Sequence, residues 1–281
     1  MAGNILDSMT EQYNSLTRSG KKLADYIFTH TSETQYMSIT SLAENCGVSE
    51  ATITRFCRVL GLSGYNDLKL ALAKSDRVTD LGDPSDGAQT INHEDDFDTM
   101  CRKIHSSSIV SLNETLELLN EAALVRAVNL LSGARHVYCF GQGGSMVMAM
   151  EAWARFSTVS SNFIHIEDSH MQAMAAALAT SKDVILFFSY SGSTRDMEEV
   201  LKLAEHNKVR IILVTHFKKS RAAEFADVVL LCGYNESPLQ SGSIAAKVGQ
   251  MFLIDCLFYG LCRKNPEFYA SARAATAQSI A

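Results

Sequence analysis

Five short apolar runs recur in the second half of the chain: HVYCF (136–140), NFIHI (162–166), VILFF (184–188), RIILVT (210–215) and VVLLC (228–232), separated by stretches of helix length. A strand that is apolar at successive positions has no solvated side, because neighbouring side chains point to opposite faces. Such strands belong in a parallel sheet whose crossovers lay helices over both faces. The expected product is an α/β three-layer sandwich with a five-stranded parallel sheet. In that architecture ligands collect outside the carboxyl ends of the strands, near the point where the strand order reverses.

Two of these strand ends carry unusual chemistry. HVYCF leads into Gly141, Gln142, Gly143, Gly144 and Ser145, and VILFF into Ser189, Tyr190, Ser191, Gly192, Ser193 and Thr194, each ahead of a helix. Glycine permits close backbone approach, and hydroxyls beside the exposed N–H groups of a helix start suit a phosphate. No Lys follows the glycines as a P-loop requires, and Gly141 to Ser145 does not complete G-x-G-x-x-G. One such loop is weak evidence, since tight strand-to-helix turns use glycine anyway. The pair is more specific and nominates Gly141, Gly143, Ser145, Ser189, Ser191, Gly192, Ser193 and Thr194 as ligand contacts. Neither loop contains a cation, so affinity rests on N–H and O–H donors and a modest helix dipole.

The first 75 residues read differently. Apolar positions recur at helical spacing, as in Leu16, Leu23, Tyr26 and Ile27, or Ile53, Phe56, Val59 and Leu60. Within MSITSLAENCGVSEATITRFCRVLGL (37–62), Ser38 or Thr40 can open a short helix ending near Cys46, Gly47 can take a positive φ, and Ser49 can cap a helix running to Leu60. Ala43, Val48, Ile53 and Phe56 would pin the two helices together. The second helix then presents Ser49, Glu50, Thr52, Thr54 and Arg55 to a major groove, with Arg58 and Lys69 placed for the DNA backbone.

Charge separates the two regions. Residues 1–75 hold seven Lys or Arg and seven Asp or Glu, whereas 76–98 hold one Arg against eight acids, so most of the net charge of −6 is local. With Gly82, Asp83, Pro84 and Gly87, this stretch reads as an acidic linker between a domain at 1–75 and another at 99–281. No run approaches the roughly 18 apolar residues of a membrane span, and the start has no charged n-region with an apolar h-region, so a cytoplasmic protein is expected. Seven cysteines form no C-x-x-C pair and read as small core residues rather than zinc ligands, and no cofactor is called for.

The string SLAENCGVSEATITRFCRVLGLSGYNDLK closely resembles the N-terminal helix-turn-helix of the RpiR family of bacterial transcription regulators. The G-x-G-G-S and S-x-S-G-x-T loops, with EDSHMQAM (167–174) and AKVGQMFLIDCLF (246–258), resemble the sugar isomerase (SIS) domain expected as its C-terminal partner. The resemblance implies an all-α helix-turn-helix domain that binds operator DNA, followed by a domain that binds a phosphorylated sugar, with the hydroxyls of Ser189, Ser191 and Thr194 on the phosphate and Ser145 completing the cradle. Repression is the commoner arrangement in such regulators. Lys247 stands where many relatives have Arg, so sugar preference does not carry over.

Isomerases share the SIS fold, so an isomerase with an accessory helical domain is the alternative. Of the possible acids and bases, His170 and Glu236 are best placed to reach a sugar, whereas His165 reads as a core histidine, Asp168 as a helix cap and His216 as the end of a strand. A phosphosugar site joined to a DNA reader favours a sensor over an enzyme. Finally, IAAKVGQMFLIDCLFYGL (244–261) and MVMAMEAWARF (146–156) are apolar on more than one helical face, which predicts a homodimer or homotetramer.

Overall fold

Every apolar run of the second half is a strand. The structure is a computed structural model, in which residues 5–79, 91, 94–233 and 244–279 are described. The described residues form two compact units, one ending with the helix that closes at Thr79 and one containing everything from Phe97 onward.

The first unit comprises α1 (Ile5–Gln12), α2 (Arg18–Thr29), α3 (Thr31–Thr34), α4 (Ile39–Cys46), α5 (Glu50–Val59) and α6 (Tyr65–Thr79). Its core is the set of apolar positions with helical spacing: Met9, Leu23, Ile27, Leu42, Ile53, Phe56, Leu68 and Leu72 are all buried. Local chemistry sets the bend between α4 and α5. The Ser41 N–H donates to the Ser38 hydroxyl at 3.0 Å to open α4, and Gly47 closes it at φ 61° and ψ 42°. Only a residue without Cβ takes that left-handed conformation at no cost. The Thr52 N–H then donates to the Ser49 hydroxyl at 3.2 Å and starts α5.

The second unit opens with α7 (Phe97–Leu118) and α8 (Glu121–Gly133). Then strands and helices alternate: β1 (Val137–Gly141), α9 (Met146–Ser157), β2 (Phe163–His165), α10 (Ser169–Leu178), β3 (Val184–Phe188), α11 (Arg195–His206), β4 (Arg210–Thr215), α12 (Arg221–Phe225) and β5 (Val228–Leu231). Helices α13 (Ile244–Lys264) and α14 (Pro266–Ser279) close the chain. All neighbouring strands are parallel and the order is β2-β1-β3-β4-β5. Alternation along β3 divides the core: Leu186 and Phe188 face a cluster with α8, α9 and α13, while Ile185 and Phe187 face α10 and α11.

Two expectations change on folding. Although α13 is long and apolar enough by composition to cross a membrane, Gly249, Leu253, Ile254, Leu257 and Phe258 are buried, and α7, α8 and α9 pack around it. Its other side leaves Ile244, Met251 and Tyr259 exposed. Among the cysteines, Cys46, Cys57, Cys139 and Cys232 are buried and Cys101 is exposed on α7, so it is no core residue. Burial pushes the Cys57 thiol up to about 12.

At the amino ends of β1 and β3 lies a buried charge network. The Asp183 side chain, fully buried, accepts from Arg135 Nε at 3.0 Å and Nη2 at 2.8 Å, and from the Thr180 N–H at 2.8 Å and hydroxyl at 3.0 Å.

Candidate functional site

The strand order reverses between β1 and β3, and the two glycine- and hydroxyl-bearing loops leave from these strands. Gly141 sits opposite Phe188 in the ladder, so both loops depart from one rung, about 4.8 Å apart. At Gly141 the chain folds back so sharply that a Cβ would lie 2.5 Å from the Ser145 carbonyl oxygen. Gly143 has φ +54°, and a Cβ on it or on Gly144 would meet nothing within 4 Å. The β1 loop is therefore tight at its base and open at its rim.

The β3 loop sorts its hydroxyls by position. Ser189 is buried and accepts from the Gly192 N–H at 3.1 Å, which shapes the turn from inside. Ser191, Ser193 and Thr194 are exposed, and Thr194 holds the cap position of α11 without spending its hydroxyl on the helix. Gly192 has φ +59°, and the space where its Cβ would stand is filled by Cβ and Oγ of Ser220.

Three braces around these loops went unread in the sequence. Strand β2 stops at His165, opposite Cys139, and so leaves the last carbonyl of β1 without a partner on that side. Buried Gln172 replaces the missing strand: its Nε2 donates to Gly141 O at 3.1 Å and Ile166 O at 2.8 Å. The loop after β4 supplies the second brace, where the Ala222 N–H donates to Gly192 O at 3.0 Å and Ser220 packs against Gly192. This loop also puts exposed Lys218 and Lys219 at the carboxyl edge of the sheet. Thr215 is the third, its hydroxyl donating to Tyr190 O at 3.0 Å. A signal existed for the second, since FKKS directly follows a strand; nothing in the spacing marks Gln172.

The remaining candidates separate clearly. His170 is exposed in the first turn of α10, which Asp168 caps by accepting from the Met171 N–H at 2.9 Å. His165 Nδ1 lies 3.1 Å from Cys139 O, so Nδ1 carries the proton, and its buried Nε2 has no partner. His216 Nδ1 makes the equivalent bond to Cys232 O at 3.0 Å, one residue past the end of β4. Glu236, together with Gly82, Asp83, Pro84 and Gly87 of the acidic stretch, lies outside the described residues.

In the first unit, Arg55 and Arg58 are exposed on α5, Ser49 is exposed at its cap, and Thr52 is half-buried beside Ser49. Two polar candidates are otherwise engaged. Glu50 Oε1 accepts from the Thr40 hydroxyl at 2.7 Å, joining α4 to α5, and the Thr54 hydroxyl donates to Glu50 O at 3.0 Å. Lys69 is half-buried on α6.

Known proteins carry the same two parts. Residues 3–78 match the model of the rpiR-family helix-turn-helix domain, and residues 130–259 match that of the SIS domain. An uncharacterized HTH-type transcriptional regulator of Haemophilus influenzae is 32% identical over 279 residues, 99% of this chain and 97% of that protein. The chain belongs to the RpiR family of helix-turn-helix transcriptional regulators.

Within that family, the HTH-type transcriptional regulator HexR of Pseudomonas aeruginosa is 33% identical over 280 residues, covering 96% of this chain and 93% of its own length. The solved structure of the Vibrio vulnificus NanR protein complexed with ManNAc-6P superposes with a TM-score of 0.86 at 28% identity, over 99% of this chain and 98% of that one. The RpiR assignment thus covers both units, reader and SIS domain.

Proposed function

We propose that this RpiR-family regulator binds operator DNA through α5 and senses a phosphorylated sugar between the β1 and β3 loops, without turning it over. The observation that carries this reading is the shared rung: two loops rich in glycine and hydroxyls leave adjacent strands at the reversal of strand order. The exposed hydroxyls of Ser191, Ser193 and Thr194, with the first N–H groups of α11, act as phosphate donors, and Ser145 adds one from the β1 loop. Ser189, Gly192 and Gly141 shape the cradle. NanR, of the same two-part build, was solved with a phosphorylated N-acetyl sugar, which supports this ligand class. An acidic stretch joins the two units, and the protein acts in the cytoplasm.

The test uses full-length protein with glucose 6-phosphate, fructose 6-phosphate, arabinose 5-phosphate, N-acetylmannosamine 6-phosphate and their unphosphorylated forms. Thermal shift, product formation and fluorescence-anisotropy titration of a duplex selected from random sequence by the protein are measured. One phosphosugar raises the melting temperature, is recovered unchanged and alters DNA affinity about 5- to 150-fold. Turnover would return the isomerase reading, and equal DNA affinity with every sugar would end the sensor.

For the reader, Arg55→Ala weakens the selected duplex by about 1–3 kcal/mol and relaxes preference at one base position, as loss of a base-edge contact does. A uniform loss across sequences would make Arg55 a backbone contact instead.

The protein self-associates, in this reading through exposed apolar faces that include Ile244, Met251 and Tyr259 of α13. Val147, Met150 and Trp153 on α9, and Met171, Met174 and Leu178 on α10, are exposed apolar residues at helical spacing. Light scattering at micromolar concentration gives at least a dimer; a monomer there refutes the proposal.

A further inference from the structure

Helix α7 is built the wrong way out. Ile104, Ile109, Leu112 and Leu116 are exposed, whereas the positions buried on the side of the unit's core are Ser107, Ser111 and Thr115. This inner face is held by close approach rather than apolar area. A Cβ on Gly249 of α13 would lie 2.6 Å from Thr115 Oγ1 and 2.9 Å from Ser111 Oγ, and the Gly233 N–H donates to Thr115 Oγ1 at 2.9 Å. Hydroxyl-lined contacts bury little apolar surface, so shifting them forfeits little hydrophobic stabilisation. Moreover, the Ser111 hydroxyl is buried with no hydrogen-bond partner, and a second seating of α7 that gives it one recovers the cost of leaving it unpaired. Two nearly balanced seatings are what a switch requires.

The site touches the mechanism that would choose between them. Tyr190 stands inside the β3 loop, between Ser189 and Ser191. Its carbonyl is tied down by the Thr215 hydroxyl at 3.0 Å and the His216 N–H at 3.1 Å, and its ring stacks on His216 with centroids 5.1 Å apart and planes 8° from parallel. The same side chain packs against Ala245 and Ala246 at the start of α13, and Val110 of α7 packs against those two alanines as well. Among the described residues, α7 is also the first helix after α6, on the far side of the acidic stretch.

We propose that occupation of the β3 loop is relayed to the DNA-reading unit through Tyr190, the Ala245–Ala246 pair of α13 and Val110 of α7. The relay rests on the sensor reading above. Filling the cradle repositions Ser191 to Thr194 about the anchored Tyr190 carbonyl, the ring presses differently on the alanine pair, and α7 changes its seating on α13. Val110 lies on α7, outside both loops, so sugar binding and DNA response separate at this residue.

Val110→Ala and the near-isosteric Val110→Thr are made in the full chain. Calorimetry with the panel phosphosugar giving the largest thermal shift measures binding, and anisotropy with the selected duplex measures DNA affinity with and without it. Both variants keep sugar affinity and sugar-free DNA affinity within about threefold of wild type, while the sugar-induced change falls from the 5- to 150-fold range to about twofold or less. Variants that respond like wild type overturn the relay, and so do variants that lose sugar affinity, because Val110 then serves the site or the fold. If wild-type protein itself neither binds nor responds to any panel sugar, the sensor reading has failed and the relay falls with it.

Discussion

Replacing Gly192 with alanine is expected to cut phosphosugar affinity at least about 100-fold, roughly 2.7 kcal/mol, while leaving sugar-free DNA binding unchanged. Two independent penalties act at this residue. A residue with a side chain costs roughly 1–2 kcal/mol at φ +59°, and its Cβ would occupy the place of Ser220 Cβ and Oγ. Ser220 cannot step aside easily, since it is only 2% exposed and the adjoining Ala222 N–H is bonded to Gly192 O. The loop must therefore open, which scatters Ser191, Ser193 and Thr194 away from a common phosphate. Removing the obstacle with Ser220→Gly relieves the overlap but not the backbone penalty, so the double variant regains part of the lost affinity. Calorimetry and DNA titration of both proteins decide the matter, and a Gly192→Ala protein that binds its sugar normally would show that this turn is no part of the cradle.

The second large effect lies at the opposite edge of the sheet. Asp183→Ala is expected to destabilise the SIS unit by about 3 kcal/mol, since it leaves the Thr180 N–H and the Arg135 guanidinium without their buried partner. For a unit of this size that lowers its melting temperature by on the order of 10 °C. The charge also predicts a pH dependence. Burial alone pushes the Asp183 carboxyl up, but hydrogen bonds from Arg135 and Thr180 outweigh it and hold the group at about 2, below its ordinary 3.8. A depressed carboxyl stabilises the fold fully above its unfolded value and loses that contribution as pH falls from about 4 toward 2. Wild-type protein should therefore lose melting temperature between pH 4 and 2 more steeply than Asp183→Ala. Parallel curves for the two proteins would assign the acid sensitivity to other groups.

Much of the fold was legible because its signals are local. Continuous apolar runs located all five strands, with β1 starting and ending one residue later than the run HVYCF and β2 reduced to Phe163–His165. Edge position explains the short β2: among the described residues β1 is its only strand partner, and Gln172 takes over where it ends. Turn chemistry at Ser38, Gly47 and Ser49 set the helix-turn-helix, since each cap is decided by a side chain and its neighbours within a few positions.

What the chain determines by itself, then, is the inventory: a helical reader, five buried strands and two loops with the chemistry for phosphate. Tertiary structure alone decided which loops meet and which hydroxyls face outward. Strand order put Gly141 beside Phe188, 47 positions apart, and Ser220 beneath Gly192, with Ser189 buried and its hydroxyl accepting the Gly192 N–H. It also buried one side of α13 while leaving Ile244, Met251 and Tyr259 outside, and turned the hydroxyls of α7 inward and its apolar residues out. The physical reason is range: caps, turns and periodicity are settled within a few residues, whereas adjacency depends on how crossovers pack against both faces of a sheet, which no local pattern encodes.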